Sequence, residues 1–143
     1  MTSVLPPACG FVPTPDDETA VLAWFDTYDA LAARRQFDAM ADMAVFPLNE
    51  VTDDGQGAGS ASQCTREEFI SQMAEVMGAP NNEVSWRSIR TPHFISDSLV
   101  FVVTDAEITC GDVVRPVRYG DLLVKTGGEW RFQTMVQGGW TGL

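Results

Sequence analysis

From Glu83 to Gln137 the apolar residues of this chain recur at every second position, and this change of period constrains the fold more than any other feature. Residues 83–95, 98–110, 113–126 and 129–137 are rich in Val, Ile, Phe and Trp, the composition and alternation of long strands with one face turned to a core. The segments between them, Ser96-Asp97, Gly111-Asp112 and Gly127-Gly128, are hairpin dipeptides, so successive strands are expected to be antiparallel neighbours. Such a meander needs something to cover its apolar face, and the first half of the chain must supply it.

That half has a helical period. Pro6, Pro7, Pro13 and Pro15 make residues 1–15 an extended tail, because proline withholds an amide donor and fixes φ. Asp16 and Asp17 mark a helix start, after which Val21, Trp24, Phe25, Tyr28, Leu31 and Ala32 fall on one helical face while Asp26, Asp29 and Arg35 fall elsewhere. A shorter helix runs through Phe37, Met40, Ala41 and Ala44 and is ended by Pro47. Residues 46–54 read as a short strand, and the Gly- and Ser-rich stretch 53–62 as a mobile loop. Thr65-Arg-Glu-Glu68 is a capping box opening a third helix, whose stripe is Phe69, Ile70, Met73, Val76 and Met77 and whose end is Gly78-Ala79-Pro80. The expectation is an α+β domain over 16–143: a conical, curved antiparallel sheet of about four long strands plus short ones, packed against three N-terminal helices.

A length of 143 residues, 45% of them hydrophobic, suits one core. The excess of 20 acidic over 9 basic residues gives a net charge of −11, which repels phosphate backbones and anionic lipid and so argues against nucleic-acid and membrane partners. The first ten residues show neither a cationic region nor an apolar run, so a cytoplasmic location is expected. Three widely spaced cysteines without histidine neighbours suggest neither a disulfide framework nor a zinc site. With no phosphate-cradling glycine loop and no metal-ligand spacing, no cofactor is expected.

The segments Tyr28-Asp-Ala-Leu-Ala-Ala-Arg-Arg-Gln-Phe-Asp38-Ala-Met and Tyr119-Gly-Asp121-Leu-Leu-Val-Lys-Thr-Gly-Gly-Glu-Trp130-Arg-Phe, with the element order across residues 16–140, resemble the ketosteroid isomerases and polyketide cyclases of the nuclear transport factor 2-like superfamily. The resemblance implies a shell around a hydrophobic small molecule, and a homodimer. It also implies roles: Tyr28 as a donor to a substrate carbonyl, Asp121 as an acid or base held by desolvation, and a second carboxylate near residue 52. Counting without a gap reaches Thr52, so Asp53 takes that role only with a one-residue shift, and Glu50 is a substitute. His93, the only histidine, would serve as the base of a cyclase or dehydratase.

The residues themselves add two constraints. On an unbroken pleat Asp121 shares a face with Val117, Tyr119 and Leu123 and opposes Arg118, although Gly120 permits a bulge that would reverse this. Trp24, Trp86, Phe101, Tyr119, Phe132 and Met135, together with Trp140, could wall a pocket for a flat apolar ligand. Two functions fit: cofactor-free acid/base chemistry on a hydrophobic carbonyl compound, as an isomerase, cyclase or dehydratase, or a non-catalytic module that binds a ligand or another protein.

Overall fold

The computed structural model describes residues 11–77 and 84–138; most of the tail, the Gly78-Ala79-Pro80 helix end and Trp140 lie outside them. The elements are α1 (Pro15–Ala33), α2 (Phe37–Ala41), β1 (Ala44–Asp53), β2 (Gly59–Cys64), α3 (Arg66–Met77), β3 (Val84–Ser96), β4 (Leu99–Cys110), β5 (Val113–Thr126) and β6 (Glu129–Gln137). They build an α+β domain with the helices on one face of an open six-stranded sheet of order β2-β1-β6-β5-β4-β3.

Local chemistry explains the helix starts. Thr14 caps α1: its hydroxyl accepts from the Asp17 amide at 3.2 Å, and Asp17 Oδ2 accepts from the Thr14 amide at 2.7 Å. Helix α1 therefore begins at Pro15, where the absent N–H costs nothing, one residue inside the expected tail. The Thr65–Glu68 box forms in the same way at the start of α3, with bonds of 3.2 and 3.0 Å.

The β3 to β6 meander has the expected antiparallel pairing, and Gly127 and Gly128 close its last hairpin with φ of 58° and 82°, a conformation costly to any residue with a Cβ. The front half departs from expectation in two ways. Residues 59–62 are part of strand β2, paired with β1 from Asp53↔Gly59 to Leu48↔Cys64; a short edge strand asks little of side-chain propensity when its neighbour supplies the ladder. Strand β1 also begins earlier than expected, at Ala44, and lies parallel to β6, so the sheet is mixed.

The β4–β5 register runs unbroken from Cys110↔Val113 to Leu99↔Val124, so Gly120 makes no bulge. The irregularity lies on β6, where Leu123 pairs with Phe132 but Leu122 pairs with Thr134. The extra residue, Gln133, brings Phe132 and Met135 to the same inner face despite their odd spacing. There Phe132 joins Val21 and Phe25 of α1, Met40 of α2, Phe69 of α3 and Val100, Val102 and Leu123 in one core.

Gly120 is required for space. A Cβ there would stand 2.4 Å from Phe101 Cζ and 2.8 Å from Cε2, because the Phe101 ring lies over β5 on the outer face. Gly120→Ala should cost about 1–2 kcal/mol in urea unfolding, and Phe101→Leu should recover most of that loss in the double variant. Equal losses in both backgrounds would locate the need for glycine elsewhere.

Candidate functional site

The unbroken β5 pleat turns Tyr119, Asp121 and Leu123 inward, toward α1. Leu123 enters the core. One step along the strand, Asp121 and Tyr119 instead meet a cavity of about 80 Å³ walled by Trp24 and Tyr28 of α1, Arg90 of β3 and Met135 of β6. The Trp24 and Tyr28 rings stack at 5.5 Å, and Tyr28 is backed edge-on by Phe132 at 5.3 Å. Trp24 is pinned by its indole N–H, which donates to the Trp130 carbonyl at 2.9 Å.

Asp121 is 9% exposed. No hydrogen bond ties its carboxyl, or the Tyr28 hydroxyl, to any described residue. Burial raises the Asp121 carboxyl from the ordinary 3.8 to about 7, with Arg90 opposing and Asp29 adding to the effect. Burial also raises the Tyr28 phenol, and the neighbouring Asp121 raises it further. The cavity thus holds a carboxyl poised to change charge near neutrality beside a phenol that stays protonated.

Arg90 is the third polar element, and sequence reasoning did not single it out. Its side chain is 9% exposed. Nη1 and Nη2 grip Asp29 at 2.6 and 3.2 Å, Nη2 also donates to the Tyr119 hydroxyl at 3.2 Å, and Nε donates to Thr104 Oγ1 at 3.3 Å. The guanidinium carbon lies 4.5 Å from the Phe25 ring centre. A parity signal was available, since Arg90 alternates in register with Trp86 and Phe94; its pairing with Asp29, 61 residues earlier, had none.

Of the residues expected to form a site, Tyr28, Asp121, Trp24, Tyr119 and Met135 come together. The other described ones do not line the cavity. His93 is exposed on the outer face of β3, between the inward Pro92 and Phe94. Phe101 lies on the outer face over Gly120. Asp53 is exposed at the end of β1, its carboxylate 3.3 Å from where a Cβ on Gly138 would stand. Phe132 is core, and Trp86, 6.3 Å from the Tyr119 ring, is 48% exposed. Glu50 accepts hydrogen bonds from the Gln72 amide at 3.4 Å and from the Cys64 thiol, and its carboxylate adds to the burial that pushes that thiol up to about 12. Arg118 points outward to Asp105 at 2.6 Å. Among the described residues no group of three His, Cys, Asp or Glu is arranged to hold a metal ion, and no helix is long and apolar enough to cross a membrane.

The Asp121 environment makes stability depend on pH. Between 3.8 and about 7 the folded chain retains a proton that the unfolded chain has released, so this group lowers stability as pH rises through that window. Asp121→Asn removes the effect: its gain over the unsubstituted protein should be roughly 2–3 kcal/mol larger at pH 8 than at pH 5. Urea unfolding at both values checks this, and a gain independent of pH would mean that the carboxyl titrates normally.

No protein-family model matches the chain, and no curated protein is significantly similar to it. Solved structures do resemble it. A nuclear transport factor 2-like protein of unknown function from Pseudomonas putida superposes with a TM-score of 0.69 at 11% identity, covering 87% of each chain. Aln2 from a Streptomyces species gives 0.68 at 17% identity over 88% of this chain and 92% of that one. A scytalone dehydratase-like protein from Novosphingobium aromaticivorans gives 0.60 at 16% identity over 86% of each. The helix layer and the mixed open sheet are thus those of the nuclear transport factor 2-like fold, and that is the fold of this chain.

Proposed function

We propose that this chain is a cofactor-free acid/base enzyme that removes a proton from the carbon next to a carbonyl of a hydrophobic compound, the opening step of an isomerisation, cyclisation or dehydration. The observation that carries it is the Asp121 carboxyl, buried, without a hydrogen bond to any described residue and facing a cavity that it shares with a phenol. A carboxyl titrating near 7 is matched to proton transfer from carbon at neutral pH. The ionised Asp121 takes the proton, the C–H electron pair becomes the new C=C bond, and the carbonyl π pair moves to oxygen, where the Tyr28 hydroxyl stabilises the enolate. Return of the proton to another carbon, or loss of a leaving group, completes the reaction. The likeness to a scytalone dehydratase-like structure supports the class and does not choose among its members.

Cavity size narrows the substrate. About 80 Å³ is well below the roughly 300–1,000 Å³ of pockets that engulf drug-sized ligands, so the cavity takes a compact compound or the reacting end of a larger one. Its apolar walls, Trp24, Phe25 and Met135, suit hydrocarbon on either side of the carbonyl.

The test needs no knowledge of the natural substrate. Cyclopentanone or another small enolisable ketone in D₂O should exchange its α-protons faster with the protein than without it, and Asp121→Asn should cut that catalysis by about 100-fold or more. Binding of the ketone without accelerated exchange would favour a non-catalytic binding module.

The chain is also proposed to pair with a second copy through the outer face of the sheet. Ile89, Ile95 and Leu99 stand there 72%, 55% and 39% exposed, beside the Phe101 ring, and covering them removes apolar surface from water. Light scattering should give twice the chain mass, and Ile89→Asp with Ile95→Asp should give the monomer; a monomeric unsubstituted protein refutes the pairing.

A further inference from the structure

The Arg90 hydrogen bonds bear on what the cavity can recognise. A guanidinium has five N–H donors and no acceptor, so the Tyr119 hydroxyl can only accept from Nη2, and its own proton must point elsewhere. No described group receives it, and Tyr119 lines the cavity. Arg90 is not itself a site for an anionic ligand, because Asp29 already takes both of its terminal nitrogens. With Asp29 neutralising it, Thr104 holding Nε and Phe25 beneath the plane, the guanidinium is a rigid clamp whose free effect is to fix and polarise one phenol.

We propose that Tyr119 is a second hydrogen-bond donor to the ligand, aimed into the cavity by Arg90 and Asp29 acting as positioning residues. The ligand oxygen then accepts hydrogen bonds from both Tyr28 and Tyr119, which selects compounds whose reacting oxygen is a strong double acceptor, a conjugated ketone, an enolate or a phenolate, over esters or alcohols. This rests on the cavity being a ligand site, as in the proposed function, but not on Asp121 performing chemistry.

The chain has two tyrosines, which makes the test specific. Incorporating 3-fluorotyrosine into Tyr28→Phe leaves Tyr119 as the one fluorine reporter, and 4-nitrophenol serves as probe, its visible band reporting whether the bound probe is ionised. The expected result is a clear shift of the Tyr119 fluorine resonance on adding probe. In the Tyr28-containing protein, Tyr119→Phe should bind about 10- to 100-fold more weakly, with a smaller ionised fraction of bound probe. Arg90→Met should move the free fluorine resonance and weaken binding in the same direction. Arg90→Lys should fail to restore it, since an ammonium cannot hold Asp29 and Tyr119 in one plane.

Each failure has its own signature. If 4-nitrophenol does not bind the unsubstituted protein, the cavity is not a site for such ligands and both readings fall. If it binds, competes with cyclopentanone, and leaves both affinity and the fluorine resonance indifferent to Tyr119 and Arg90, the ligand site stands and the second donor is refuted. Urea midpoints show whether each variant is folded; should Arg90→Met be unfolded, Tyr119→Phe, which deletes one hydroxyl, still decides the matter.

Discussion

The bidentate pair between Asp29 of α1 and Arg90 of β3 is the constraint on which the rest of the site depends. It fastens the helix layer to the strand furthest from β2, across the sheet from where α3 packs, and sets the height of α1 above β5. Taking a guanidinium to 9% exposure is costly unless nearly every N–H finds an acceptor, and Asp29, Thr104 and Tyr119 supply them. Those acceptors come from α1, β4 and β5, so one charge holds four elements in register around a small void.

Next to this saturated cation sits an acid with no hydrogen-bond partner among the described residues. Arg90 is bound to Asp29 rather than to Asp121, and that choice decides the character of the cavity: were the guanidinium to pair with Asp121, the carboxylate would be locked ionised and inert. Instead the charge is spent on α1, and burial, with the Asp29 carboxylate adding to it, outweighs the pull of Arg90 and holds the proton on Asp121. Trp24, Tyr28 and Phe132 contribute by excluding water from the other side.

Much of this was legible in the sequence where the signal is local. The period-two strands and the Thr65–Glu68 capping box follow from neighbouring residues, and Tyr28 follows from the stripe of α1, whereas the side of β5 on which Asp121 lies stayed open in the sequence because Gly120 permits a bulge, and the unbroken β4–β5 register decides it. What was not legible is non-local. Nothing near Arg90 names Asp29, nothing in Ala44–Asp53 announces a parallel neighbour, and Gly59–Cys64 lacks strand formers because its ladder is supplied by β1. Phe101 and His93 looked like site residues by type, yet their odd-numbered positions put them on the outer face, and Met135 reaches the cavity through the Gln133 bulge, which no turn residue marks.

The parallel pairing of β1 with β6 orders events in time. Strand β1 finds its central neighbour 85 residues later, as in Asn49 with Thr134, so a chain emerging from a ribosome makes its first hairpin, β1 with β2, long before the partner that seats it exists. Until β6 is synthesised, β1 carries a bare edge and the face of Leu48 has no Phe132 to meet, and closing so long a loop is slow. Assembly of the cavity therefore waits for β6, and that strand, rather than the helices, decides when the site is complete.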